Sequence, residues 1–253
     1  MTPDGWIDRV IERHTQSMTR PEFLKAVRAL SARYVEQRAS LRDRSPLDSA
    51  GKRAAFAGFY APLHFLTVRQ IVDSVGLGRR PVETIVDLGC GTGVAGAAWA
   101  LANVTPARVV GVDLNTWALD EARWNLDTLG VRARTKRGNF VAALDELLAK
   151  PDARSGVILG WSLNELGDTD RARAIDLIIS LSARATPIAV IEPIATRLVP
   201  WWPAFAGRVT TAGGRIDEWK FDAALPPALA DLDEAAGFQR ESLSARSAVF
   251  GVS

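Results

Sequence analysis

A glycine-rich segment near the middle of the chain holds the residue types best suited to chemistry. Residues 85–93 read Ile-Val-Asp-Leu-Gly-Cys-Gly-Thr-Gly and join an apolar run to a helical pattern. Glycines at the end of a strand let the backbone approach a ligand closely, and the helix that follows presents its first N–H groups to that ligand. The segment therefore predicts a nucleotide-like ligand at a strand-to-helix turn.

A second carboxylate lies at the end of the next apolar run. Asp113 ends the next apolar run, Val109–Val112, and lies 20 residues past Gly93. An acid at the end of the second strand can accept hydrogen bonds from ribose hydroxyls. The alternative, a tight turn with no ligand, explains the glycines but not the acid that follows them.

Charge distinguishes between candidate nucleotides. Asp87 stands two residues before the first glycine, Gly89, where it would repel a dinucleotide's pyrophosphate, and Val94 occupies the place of the third glycine in a G-x-G-x-x-G pattern. S-adenosylmethionine has no phosphate and carries a sulfonium and an ammonium, which a carboxylate attracts. The segment favours S-adenosylmethionine as the cofactor and disfavours a nucleotide-dependent oxidoreductase.

The glycine-rich segment resembles motif I of the class I S-adenosylmethionine-dependent methyltransferases, and Asp113 resembles their motif II acid. The resemblance implies methyl transfer and places Asn139 and Phe140 where that family contacts adenine. Asn139 has a second interpretation, as the cap of the following helix. Cys90 is interpreted as a small loop residue rather than a nucleophile. The predicted cofactor contacts in these segments are Asp87, Gly89, Cys90, Gly91, Gly93, Asp113, Leu114, Asn139 and Phe140.

The acceptor is expected at the carboxyl ends of the fourth and fifth strands, because ligands of open α/β sheets bind at that edge. Glu165 and Glu192 are the candidate bases there. Asn164 and Trp161 are expected to shape the pocket, Trp161 also touching the cofactor. A helix-terminal or exposed turn charge is the alternative interpretation of each carboxylate.

Two further site residues are predicted in the N-terminal helices. Tyr60 and His64 lie in a segment expected to cover the cofactor, with Tyr60 as a cofactor contact. His64 completes the catalytic candidates Glu165, Asn164 and Glu192; its alternative is a packed or exposed histidine.

Alternating patterns define the fold expected around these residues. Short apolar runs at 82–87, 108–113, 131–135, 156–161 and 187–192 alternate with helical patterns at 94–102, 116–129, 140–149 and 169–182. Two more strands follow, at 217–221 and 245–252. This α/β rhythm predicts a Rossmann-like, mostly parallel seven-stranded sheet with helices on both faces, spanning residues 81–253.

Residues 1–80 are predicted to form an N-terminal helical extension that acts as a lid. Thr19 and Glu22 have the spacing of a capping box, and Pro62 is expected to break or kink a continuing helix. A connection is expected around residues 41–51.

Composition limits the class of protein. Hydrophobic residues make up 47% and charged residues 24%, apolar stretches stop short of the ~20 residues of a membrane span, and a cytoplasmic location is expected. One cysteine and two histidines predict neither a disulfide nor a bound metal. The net charge of +2 is too small to indicate nucleic acid. A small-molecule acceptor is therefore preferred; the sequence does not predict the oligomeric state.

A further resemblance keeps an alternative function open. Segments 29–34, 59–65, 164–166 and 191–193 are similar in order and spacing to the methyltransferase-like proteins of the mitochondrial small ribosomal subunit. This resemblance covers roughly residues 20–195 and implies an RNA or ribosome partner, either as an rRNA methyltransferase-like enzyme or as a non-catalytic assembly protein. The metal-binding cysteine cluster of the mitochondrial members is not present in this sequence.

Overall fold

The computed structural model describes residues 2–36, 49–150, 152 and 154–252; for residues 33–36 it describes the backbone. Most of the connection predicted around 41–51 lies outside the described residues. The helices of the described chain are α1 (Pro3–Thr15), α2 (Arg20–Glu36), α3 (Ala50–Ala55), α4 (Ala61–Val75), α5 (Val94–Ala102), α6 (Thr116–Thr128), α7 (Phe140–Ala149), α8 (Asp168–Ser182), α9 (Trp202–Thr211) and α10 (Pro227–Ala235).

The strands form one sheet. They are β1 (Thr84–Leu88), β2 (Arg108–Asp113), β3 (Ala133–Arg137), β4 (Ser155–Gly160), β5 (Ile188–Glu192), β6 (Arg215–Asp222) and β7 (Ser242–Phe250). Their order is β3-β2-β1-β4-β5-β7-β6, with β1 to β5 parallel and β7 antiparallel to β5. The predicted Rossmann-like, mostly parallel seven-stranded sheet is confirmed.

The strand order determines where a ligand can bind. β1 lies between β2 and β4, so the chain leaves β1 towards one edge of the sheet and later returns to build the other. The loops after β1 and β4 diverge at this switch point, which opens a crevice at their carboxyl ends. The residues that follow β1, β2 and β4 therefore share one end of the sheet.

Burial explains why these runs became strands. Every residue of β1 and β5 is buried, which matches continuous apolar runs covered on both faces. β3 is shifted by two residues from the predicted run at 131–135. The N–H of Val131 donates to the carbonyl of Leu126 at 2.8 Å, so Val131 completes the end of α6 and the strand begins later.

The N-terminal helices follow local signals, with one correction. The capping box is confirmed, because the Thr19 N–H donates to Glu22 Oε2 at 2.8 Å and the Glu22 N–H points back to Thr19 Oγ1 at 3.5 Å. A break at Pro62 was expected as one of two outcomes, and this part of the prediction was wrong. Pro62 is the second residue of α4, and the helical run from Ala50 to Val75 continues past it. A π-helical turn, Phe56–Tyr60, precedes it and joins α3 to α4; such a turn alters the hydrogen-bond spacing where proline lacks a donor.

The described chain divides into two compact units. One comprises residues 1–64 with 222–243, and the other 65–221 with 244–253. This differs from the boundary at residue 80 expected from the sequence, because most of α4 belongs to the larger unit and α10 joins the N-terminal helices. The lid role of those helices stays a prediction. Among the described residues no helix is both long and apolar enough to cross a membrane.

Candidate cofactor site

The loop between β1 and α5 is tied to β2 by backbone hydrogen bonds. The N–H groups of Gly89 and Cys90 both donate to the carbonyl of Val112, at 2.8 and 3.1 Å, and the Gly93 N–H donates to the Cys90 carbonyl at 2.7 Å. These bonds hold the loop in a fixed turn at the end of the two strands. The predicted strand-to-helix turn is therefore present.

Two of its glycines meet different surroundings. Both have a positive φ, +66° at Gly89 and +50° at Gly91, a conformation that L side chains rarely adopt. A Cβ at Gly89 would lie 2.6 Å from Ser162 Cβ, whereas a Cβ at Gly91 would meet no atom within 4 Å. Gly89 thus allows the loops after β1 and β4 to touch, and Gly91 leaves open space beside the backbone for a ligand.

Asp113 lies at this loop, as predicted. Its Oδ2 accepts the Gly91 N–H at 2.9 Å and its Oδ1 accepts the Asn115 N–H at 2.8 Å. These bonds orient a half-buried carboxylate at the end of β2, and each oxygen retains a lone pair for another donor. The carboxylate is arranged to accept hydrogen bonds from hydroxyl groups beside Gly91.

Asp87 is fully buried at the root of the loop. Its Oδ2 accepts the Gly96 N–H from α5 at 2.8 Å, while its Oδ1 has no hydrogen-bond partner in the described chain. Burial, opposed by the Gly96 bond and reinforced by the charge of Asp113, raises the pKa of Asp87 to about 7. The charge of Asp87 therefore varies with pH near neutrality.

Two hydroxyl groups that the sequence did not single out also belong to this site. Thr92 Oγ1 and Ser162 Oγ are buried and have no hydrogen-bond partner among the described residues. Buried polar atoms are almost always satisfied, so these two hydroxyl groups and Asp87 Oδ1, which lie near one loop, fit a site for a polar ligand. Ser162 could have been found from its position just past β4, but only once β4 was known to adjoin β1.

Cys90 within the loop and Leu114 after β2 differ in their exposure to solvent. The Cys90 thiol packs against Gly111, whose added Cβ would lie 2.9 Å from Sγ, and burial raises the thiol pKa well above its usual range. This environment agrees with a small loop residue, not a nucleophile. Leu114 is 61% exposed beside Asp113, an unusual exposure for a large apolar side chain and one that suits a contact with a flat ring.

Asn139 and Phe140 have different surroundings: Asn139 caps α7, and Phe140 lies beside the glycine loop. Asn139 Oδ1 accepts the N–H groups of Val141 and Ala142 at 2.8 and 3.4 Å, so the cap interpretation of Asn139 is confirmed. Phe140 is half-buried, and its Cδ1 lies 3.4 Å from the position of a Cβ at Gly89. Phe140 therefore lies at the glycine loop; an adenine contact by either residue stays a prediction.

The loop after β4 is braced by Glu192. The side chain of Glu192 is buried, and its Oε1 accepts the Asn164 N–H at 3.2 Å. This burial favours a positioning role for Glu192 over the base role predicted from the sequence.

Trp161, in the same loop, has a φ of +57° and donates its N–H to the Ile191 carbonyl at 2.7 Å, so the loop carries backbone strain next to the crevice. Glu165 is exposed in the turn Leu163–Glu165.

Tyr60 and His64 belong to the unit formed by 1–64 and 222–243. The Tyr60 hydroxyl donates to the Val27 carbonyl at 3.3 Å, which occupies it within the helices. The His64 ring packs edge-on against Phe56, and burial together with the charge of Arg240 lowers the His64 pKa to about 4. His64 is therefore neutral at physiological pH, and the roles predicted for both residues stay predictions.

The donor set suits an organic cation rather than a metal. In the part of the chain that the structure describes, no group of three or more His, Cys, Asp or Glu side chains could hold a metal ion. The carboxylates of Asp87 and Asp113, the unpartnered Asp87 oxygen and the open side of Gly91 fit an adenosyl compound with a positively charged amino-acid portion.

Comparisons with known proteins agree with this geometry. A family model described as a methyltransferase domain matches residues 85–183, from β1 through α8. The structure is similar to an O-methyltransferase family protein from Burkholderia thailandensis, with a TM-score of 0.54 and 16% identity over 88% of this chain and 63% of that one. It is also similar to a methyltransferase dependent on S-adenosylmethionine from Agrobacterium tumefaciens, with a TM-score of 0.51 and 18% identity over 75% of this chain and 62% of that one.

The chain spans less than two thirds of the length of either of these proteins, and at such identities the likeness shows a shared fold. A search of curated proteins gave no match. The family match shows a likeness to a methyltransferase domain over residues 85–183, and the structural likeness shows that the chain shares the fold of these methyltransferases.

Proposed function

We propose that the protein transfers the methyl group of S-adenosylmethionine to a small-molecule acceptor. The observation that carries this proposal is the pairing of Asp113 with Gly91: an oriented carboxylate next to a backbone position with open space. A merely structural turn needs neither the open space nor the second lone pairs of that carboxylate. The family match over residues 85–183 supports the same activity.

Different residues of the site bind different parts of S-adenosylmethionine. Asp113 accepts hydrogen bonds from the ribose hydroxyls, with Leu114 and Phe140 bordering the adenine. Asp87 and the buried hydroxyls of Thr92 and Ser162 face the amino-acid portion. When bound, S-adenosylmethionine supplies an electrophilic methyl group, and its transfer leaves S-adenosylhomocysteine and a methylated acceptor.

The acceptor is proposed to bind beside the loop after β4. The catalytic requirement is to hold the acceptor atom in line with the methyl group, since positioning alone accounts for much of such catalysis. Glu192 fixes the backbone of Asn164, and this bracing preserves the shape of the acceptor pocket. Glu165, exposed in the same loop, is the candidate base for an acceptor that must lose a proton.

A small molecule is preferred because the catalytic part of the chain lacks a strong overall charge. Residues 1–55 hold eleven basic and seven acidic residues, which leaves 20 basic and 22 acidic residues in the remainder. Nucleic-acid acceptors are usually held by a clear excess of positive charge.

Labelled methyl transfer tests this proposal. The full chain is incubated with methyl-labelled S-adenosylmethionine and a cell extract, and the label is separated into small-molecule, protein and RNA fractions. We expect label in the small-molecule fraction, none with Asp113→Ala, and wild-type labelling with Asp127→Ala, an exposed carboxylate on α6. Label confined to RNA would refute the acceptor class, and labelling unaffected by Asp113→Ala would remove Asp113 from the site.

A further inference from the structure

A basic cavity lies at the end of the sheet opposite the cofactor site. It encloses about 310 Å³ and is lined by Arg108, Val110, Arg132, Ala133 and Arg134. Arg108 begins β2 and Asp113 ends it, so the cavity is about 17 Å from the glycine loop at 3.3 Å per residue. It is therefore distinct from the site proposed for methyl transfer.

The three arginines share one face of the sheet. Val110 pairs with Arg134 and Val109 with Ala133, so Arg108 on β2 and Arg132, directly before β3, continue this register on the same side as Arg134. In a sheet, side chains two residues apart are about 7 Å from each other and neighbouring strands about 5 Å apart. The register thus places three guanidinium groups within reach of one small anion.

The positive charge of this cavity is offset only in part: the Asp152 carboxylate, whose pKa is lowered by the Arg154 N–H and, less strongly, by the charges of Arg154 and Arg108, lies near Arg108. Among the described residues none forms an ion pair with Arg132 or Arg134. Neighbouring acids are engaged with other cations: Glu146 pairs with Lys136 at 3.2 Å, and Glu83 pairs with Arg154 at 2.9 Å. The cavity therefore combines a concave shape with an excess of positive charge.

Arg108 is held in place for such a role. Its Nε donates to the buried hydroxyl of Thr84 on β1 at 2.9 Å, which leaves its two terminal nitrogens for another acceptor. Paired donors of this kind match the oxygens of a phosphate group. Protection of the exposed edge strand β3 does not account for Arg108, because Arg108 lies on β2, inside the sheet.

We propose that this cavity, the arginine cavity, is a phosphate-binding site separate from the cofactor site. Its ligand is either a free polyphosphate or the phosphodiester backbone of RNA, since both present the same group. The site stands independently of methyl transfer. Occupation by RNA would connect the chain to the ribosome-related alternative, and a free polyphosphate would make the cavity a small-ligand site.

Two probes distinguish these sources. Binding of a short fluorescein-labelled single-stranded RNA is measured by anisotropy over a salt series, and binding of inorganic pyrophosphate by calorimetry and by competition with the RNA. The variant is the double substitution Arg132→Gln and Arg134→Gln. The matched control is Arg79→Gln with Arg184→Gln, which removes the same charge from two exposed arginines elsewhere on the larger unit.

We expect the double variant to bind at least one probe about tenfold more weakly than the control variant does. If RNA is the ligand, the slope of log affinity against log salt also falls by about 1.4, as expected for two lost contacts to a single strand. The thermal shift with S-adenosylhomocysteine should remain, which shows that the variant is folded. Equal weakening in both variants, or binding of neither probe to the wild type, would overturn the proposal.

Discussion

At the scale of single residues, Asp87 carries most of the site's electrostatics. It is fully buried, it holds α5 through Gly96, and one of its oxygens has no partner in the described chain. A cation beside it satisfies that oxygen and lowers the pKa of the carboxyl. Because burying a charge disfavours the folded state, this residue should stabilise the complex at the expense of the free protein.

Replacing Asp87 by asparagine tests this trade-off. The folded-state pKa of about 7 lies above the unfolded value of 3.8, so the native state binds more protons between these values and stability falls as pH rises through that range. Asp87→Asn removes this loss. We expect its free energy of unfolding, relative to wild type, to increase by about 3 kcal/mol from pH 4 to pH 8 in denaturant titrations.

The comparison with wild type is the control for other titrating groups. His64 has the opposite effect, because its pKa is lowered to about 4 and its stabilisation is lost as pH falls below its ordinary value of 6.5. His64 is present in both proteins, so its contribution cancels. A difference between the two proteins that does not change with pH would contradict the assigned pKa of Asp87.

At the scale of elements, the contact between the loops after β1 and β4 builds the crevice. Gly89 lies against Ser162, and Glu192 holds the backbone of Asn164 in the same loop. The motif after β1 was visible in the sequence because its residues are consecutive. The partnership with Ser162 was not, because it depends on β4 entering the sheet beside β1 rather than beside β3.

Gly89 and Gly91 form a matched pair for testing this contact. Alanine at either position adopts an unfavourable positive φ, but only Gly89→Ala also forces a contact of 2.6 Å with Ser162. We expect Gly91→Ala to destabilise the protein by about 1 kcal/mol and Gly89→Ala by about 3 kcal/mol or more. Gly91→Ala should still weaken S-adenosylhomocysteine binding, because its methyl group enters the open space. Equal losses of stability would contradict the loop contact.

At the scale of the whole molecule, the division into two compact units does not follow the order of the chain. Residues 222–243, from the end of β6 to the start of β7, join the N-terminal helices although they are distant in sequence. The sheet was predictable because its strands are short apolar runs separated by helical patterns. The association of 222–243 with residues 1–64 depends on contacts between distant segments, for which neither part of the sequence carries a local signal.

A buried ion pair supports the smaller unit. Asp233 on α10 is 3% exposed; it accepts the Arg240 N–H at 2.7 Å and pairs with the Arg240 guanidinium, which lies 4.4 Å from the ring centroid of Phe238. Removing one partner leaves a buried charge unpaired, so we expect Asp233→Ala to cost about 3 kcal/mol. Asp231→Ala, on the same helix as Asp233, breaks an exposed pair with Arg20 of α2 and should leave stability almost unchanged. Thermal and denaturant unfolding of both variants measures this; similar losses would contradict a buried role for Asp233.

The most direct test of the cofactor site is a calorimetric titration of the full chain with S-adenosylmethionine, S-adenosylhomocysteine and NAD at a series of pH values. The site predicts binding of both adenosyl compounds and none of NAD. It also predicts that affinity for the cationic methyl donor rises relative to its neutral-sulfur product as pH increases towards about 7 and levels off above it, because the bound cation lowers the Asp87 pKa from its free-state value, and that Asp87→Asn abolishes this rise. Tighter binding of NAD, or no heat with either adenosyl compound, would contradict the account.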